Sequence, residues 1–156
     1  MNWDAIGAVG EIIGAGAVVV SLLYLALQVK TQNRESRLAA THDIFEAWRT
    51  TAATYQVSEN AELLIKALDN FDDMSDTERF RVIAIVTPTL RIWEEAYYQR
   101  LDGRLDDQIW ESMSRFFADA MSTQSWQKVW ALRGHVYSDK FREYVDTVEL
   151  GSYRTK

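Results

Sequence analysis

The chain has 156 residues, with 17 basic and 23 acidic side chains, a net charge of −6 and no cysteine. An acidic balance without a Lys/Arg cluster interleaved with aromatics argues against nucleic-acid binding. The absence of cysteine fits a reducing compartment and removes the commonest thiol chemistry.

Every Lys and Arg lies at or beyond Lys30, and residues 5–29 form a largely apolar or small run whose single charged side chain is Glu11. As a helix the run is about 37 Å long, enough to cross a hydrocarbon core of about 30 Å with some tilt. A cleaved signal peptide would need a positive start and a shorter apolar stretch. Here the first ten residues carry Asp4 and no basic side chain, so residues 1–29 are expected to stay as a transmembrane helix. Lys30, Arg34 and Arg37 follow it, opposed only by Glu35. The positive-inside rule then places the N-terminus outside and the remainder in the cytoplasm.

The small residues of this segment share one face. Trp3, Gly7, Gly10, Gly14, Ala17, Ser21, Tyr24 and Gln28 fall on an a/d seam, whereas Ile12, Ile13, Leu22, Leu23 and Leu25 lie mostly off it. In lipid, helices associate through close backbone approach, which Gly, Ala and Ser at such spacing permit; Gly10 and Gly14 also form a GxxxG pair. The seam predicts packing against itself or another membrane protein. Glu11 sits one step off it. An acid inside the hydrocarbon edge needs a polar partner, water or a proton, and a ring of Glu11 side chains in an oligomer would line an ion or proton path. A span beginning near Ile12 would instead put Glu11 at the headgroups, as an acid suited to a helix N-terminus.

No Gly or Pro occurs between Ala17 and Thr87, so one helix over residues 4–57 is expected, with residues 31–33 the favoured place for a bend. Leu38, Thr41, Phe45, Trp48, Ala52 and Tyr55 give it a second apolar stripe. Asn60 is positioned to cap a helix through Leu63, Leu64 and Leu68, and Ser75 with Glu78 forms a capping box. The helix that follows presents Ile83, Val86, Leu90, Trp93 and Tyr97 on one face. Pro88 either kinks it or opens a new helix at its first position. Gly103 stops it, and Asp106 or Asp107 starts the next, which carries Ile109, Trp110, Met113, Phe116, Phe117, Ala120 and Met121 on one side. Trp126, Val129 and Trp130 before Gly134 mark a further helix, and Phe141, Tyr144, Val145 and Val148 mark another after a cap at Ser138.

The expected architecture is all-α: a transmembrane helix over residues 1–29, a cytoplasmic bundle of about five helices over residues 30–148, and a frayed tail over residues 149–156. Six tryptophans and seven tyrosines at helical spacing read as core rather than as a cofactor pocket. Neither His42 nor His135 follows a Glu at the spacing used by metal sites in bundles. A pairing of His42 with Glu46, or of Glu94 or Glu95 with Tyr97 or Tyr98, is the most that these groups offer. No phosphate loop or catalytic triad signature occurs, so no catalytic, cofactor or metal residue is expected.

The blocks "IGAVGEIIGAGAVVVSLLYLALQV", "EEAYYQRLDGRLDDQIW" and "FREYVD" resemble those of a group of small bacterial proteins with an N-terminal hydrophobic span and a helical cytoplasmic domain. The resemblance covers nearly the whole chain. It implies a bacterial inner-membrane protein and carries no activity or site residue with it. Two functions of different class follow: a non-catalytic scaffold or accessory subunit that associates through Gly7, Gly10, Gly14, Ala17 and Ser21, or a homo-oligomeric pore with Glu11 near its path.

Overall fold

A computed structural model describes residues 3–153, with the side chains of residues 3–6 and 8 left aside. The described residues are all-α, without a strand. Helix α1 is Trp3–Tyr55, α2 Ser58–Asn70, α3 Asp76–Leu101, α4 Asp107–Met121, α5 Gln124–Arg133 and α6 Asp139–Asp146. Single 3₁₀ turns follow α2 at Phe71–Asp73 and α5 at Gly134–Val136. The chain forms two compact units, Met1–Leu38 and Ala39–Lys156.

The first unit is a stretch of α1 alone. Helix runs through residues 31–33 without a break, and the Thr31 hydroxyl donates back to Leu27 O at 3.1 Å. The second unit is built by short helices that would not persist singly. Helix α5 touches α2, α3 and α4, and Val129 at its centre is fully buried.

Local signals set the helix ends. Ser75 and Glu78 form the reciprocal capping box, with Ser75 N donating to Glu78 Oε2 at 2.8 Å. Lys66 and the Ser75 groups hold the exposed Glu78 carboxyl down to about 2. Gly103 takes φ +66°, a left-handed conformation that costs a side-chain-bearing residue about 1 kcal/mol or more. Asp106 then caps α4 by accepting from Gln108 N at 2.9 Å. Of the two readings of Pro88, the structure takes the continuous one: α3 passes through it. Flanking threonines bond back onto the same helix, Thr87 to Ile83 O at 2.7 Å and Thr89 to Ile85 O at 3.3 Å.

Three local expectations change. Val57, not Asn60, occupies the N-cap of α2; Asn60 lies inside the helix, donates to Thr54 O at 2.9 Å and accepts from Arg81 at 3.1 Å. Of the expected α1 stripe, Thr41, Trp48, Ala52 and Tyr55 are half-buried but Leu38 and Phe45 are exposed, and Ala40 and Ile44 beside them are the buried residues. The segment after α6 is held rather than frayed as far as it is described. Gly151 N donates to Ala118 O at 3.0 Å, Ser152 N to Asp119 Oδ1 at 3.0 Å, and Tyr153 N to Ser122 Oγ at 3.1 Å. Residues 154–156 lie outside the described residues.

The core is aromatic. Phe117 and Phe141, both fully buried, lie 6.2 Å apart between ring centroids. Phe117 meets Trp93 at 5.1 Å and Trp126 at 6.4 Å, while Phe141 meets Tyr97 at 5.8 Å and Trp130 at 5.9 Å. Tyr97 and Tyr144 stack at 4.9 Å. Truncating Phe117 to Ala should cost about 3–5 kcal/mol, comparable to the whole stability of a marginal domain. Chemical denaturation followed by far-UV circular dichroism checks this, with a loss below about 1 kcal/mol contradicting the central place given to that ring.

Candidate functional site

Gly7, Gly10, Gly14, Ala17 and Ser21 are all exposed on α1, as is Glu11. The Trp3 side chain of the expected seam lies outside the described residues. A Cβ placed on Gly7, Gly10, Gly14 or Gly16 would meet nothing within 4 Å. Nothing within the described chain therefore requires these positions to lack a side chain. Around them, Ile12, Val20, Leu23 and Leu27 are each more than 60% exposed. The helix from Val9 onward is long and apolar enough to cross a membrane, and its apolar window is entirely unburied.

Two of the polar groups of this face bond within the helix. Ser21 Oγ donates to Ala17 O at 2.9 Å, and Gln28 Nε2 donates to Tyr24 Oη at 2.9 Å. Returning a hydroxyl proton to the preceding turn suits a helix side that meets no water, because an unbonded polar group in hydrocarbon costs several kcal/mol.

In the second unit the suspected titratable pairs resolve into structural contacts. Glu46 pairs with Arg49, and His42 lies 3.8 Å from Asp43; His42 and Glu46 are not brought together as a ligand pair. Glu94 accepts from Ser138 N at 2.8 Å and from Arg91 Nη1 at 2.5 Å. Tyr98 donates instead to Ser138 Oγ at 2.9 Å. Arg91 also donates to Val136 O at 2.9 Å and sits 4.3 Å from the Tyr137 ring centroid. This cluster ties α3 to the start of α6. Burial pushes the Tyr137 phenol up to about 12, so it stays protonated and donates to Thr87 O at 3.0 Å.

The aromatic reading of the sequence needs one refinement. Most rings are core, but Trp48, Tyr55, Phe116, Trp126 and Tyr153 line a hollow of about 240 Å³ with Leu64. Trp48 and Phe116 meet edge to face at 5.3 Å. Burial pushes the Tyr55 phenol up, partly offset by its hydrogen bond with Thr89. Periodicity places these residues on inward faces and does not reveal where facing rings fail to meet. The nearest sequence signal is Phe116 beside Phe117, two adjacent rings that cannot both point inward.

No protein-family model matches the chain, and no curated protein or solved structure matches it either.

Burial pulls the Glu94 carboxyl up, but the Ser138 and Arg91 bonds outweigh it and leave it below the ordinary glutamate value. Its contribution to stability is therefore present above about pH 4.5 and fades as pH falls through the lowered value. Glu94→Gln should lower the melting temperature at pH 7, and the gap to the parent protein should narrow as pH falls below the ordinary glutamate range. Melts across pH 3–7 check this, and a gap independent of pH would contradict it.

Proposed function

We propose that the protein is a non-catalytic, single-pass inner-membrane protein that associates through the Gly7, Gly10, Gly14, Ala17 and Ser21 face and presents its helical domain to the cytoplasm. The observation that carries this reading is the exposed glycine face: close approach by another helix is the one use of missing side chains that the chain itself does not already make. The wholly unburied apolar window of α1 supports the membrane as its solvent. Lys30, Arg34 and Arg37 after it support the orientation. The resemblance to small bacterial membrane proteins belongs to the same proposal and supplies the bacterial inner membrane. In this reading the protein is a self-associating scaffold or an accessory subunit of a membrane complex.

The test uses the full chain in mild detergent and in native membranes. Light scattering should give a defined oligomer, or a second membrane protein should co-purify, and Gly14→Leu should disperse that assembly at least tenfold in concentration. A monodisperse monomer from native membranes, or an assembly indifferent to Gly14→Leu, would overturn the proposal. Because the chain lacks cysteine, a lone Ser152→Cys gives orientation directly: it should be labelled by an impermeant maleimide only after the inner face is opened.

A further inference from the structure

The hollow beside the end of α1 has a polarity that identifies what it would hold. Two of its lining hydroxyls, Ser125 and Tyr55, are each paired with a threonine, Thr123 in the wall and Thr89 behind it, while Trp48, Trp126 and Tyr153 add an N–H or O–H of their own to the lining. Thr123 Oγ1 donates to Ala120 O at 2.8 Å, so the Ser125 hydroxyl, 3.3 Å away, donates to Thr123. Thr89 Oγ1 donates to Ile85 O, so the Tyr55 hydroxyl donates to Thr89. With each proton directed into the protein, Tyr55 and Ser125 have only oxygen lone pairs left to offer the hollow. Tyr153, 46% exposed, stands half in water. No charged side chain lines the space, so an ion entering it would lose its hydration without a counter-charge.

The wall is fixed. Residues 151–153 are bonded along the end of α4, and a Cβ on Gly151 would run into the Asp119 carboxylate and stand 2.9 Å from Asp119 N and 3.1 Å from Ala118 C. Glycine is what allows this approach and holds Tyr153 over the hollow. A closed cavity of about 150 Å³ accepts benzene; the larger space here suits a substituted ring.

We propose that this hollow binds a small, uncharged, mainly apolar molecule carrying one hydroxyl or N–H donor, with Trp48, Leu64, Phe116 and Trp126 enclosing its body and the Ser125 or Tyr55 oxygen accepting from its head. The proposal concerns the second unit alone, including the end of α1 that belongs to it, and is independent of what residues 1–38 do.

The probes are 4-propylphenol, its methyl ether 4-propylanisole, and 4-propylbenzoate, titrated into the full chain in lipid nanodiscs with 5-fluorotryptophan incorporated. In ¹⁹F spectra the phenol should shift the Trp48 and Trp126 resonances saturably and leave Trp110 and Trp130 in place. The ether, which lacks the donor, should bind about fivefold or more weakly, and the benzoate should produce no saturable shift. Leu64→Trp, which fills the hollow, should abolish the response. Ser125→Ala should weaken the phenol several-fold without affecting the ether, and it keeps the test decisive if Leu64→Trp does not fold. Equal affinity for phenol and ether, equal binding of the benzoate, or uniform shifts at all tryptophans would each overturn the proposal, as would phenol binding that survives in folded Leu64→Trp.

Discussion

The folded unit depends on the contact between Phe117 and Phe141. These rings come from α4 and α6, and both are fully buried with other aromatics around them. Helix α6 has only eight residues, far fewer than an isolated helix needs in water, and its Ser138 N-cap makes no side-chain cap bond. Its stability is tertiary. Phe141 and Val145 anchor one face, and Glu94 of α3 accepts the Ser138 N–H that the cap leaves free. Aromatic burial and the Arg91–Glu94–Ser138 cluster thus act on the same short element, one from inside the domain and one at its edge.

The two halves of α1 present opposite surfaces. Around Ile44 the helix follows the rule for water: the apolar side is buried and the charged side faces out. From Val9 to Val29 its leucines, isoleucines and valines are exposed without exception among those described. Exposure of that extent in water would be an aggregation hazard for a monomer. In the membrane reading proposed above it carries no penalty, and what then counts is which side is smooth enough for backbones to meet.

Helix punctuation was largely legible because its physics is local. Ser75 with Glu78, Gly103, and Asp106 each satisfy or redirect backbone groups within a few residues, so the residues that act are adjacent in the sequence. What escaped depends on distant partners. Asn60 has the chemistry of a cap, but Arg81 and the carbonyl of Thr54 compete for its side chain and win. On α1 the expected Trp48 does pack, 5.5 Å from Trp93 and 5.3 Å from Phe116, while burial of Ile44 in place of Phe45 depends on partners far along the chain. Gly151 falls in the expected frayed tail; its contact is with Asp119, 32 positions earlier in the chain. The glycine face was legible as a pattern, since period alone reveals it, whereas the hollow required knowing which rings fail to touch.

Hydroxyls bonded back to their own helix recur in both units and have different consequences in each. Ser21 and Thr31 do this on the apolar segment, Thr50, Thr87 and Thr89 in the domain. The geometry uses the proton and leaves lone pairs outward. In the proposed membrane association this leaves Ser21 a poor donor to a second helix, so that proposal rests on shape, and a bulky residue is the sharper test than the loss of one hydroxyl. In the hollow the Thr123 and Thr89 bonds turn the Ser125 and Tyr55 protons inward, which leaves those two oxygens as the acceptors that the proposed guest would use. A single habit of Ser and Thr in helices thus bears on both proposals, on contour at the proposed membrane face and on hydrogen-bond direction in the proposed ligand site.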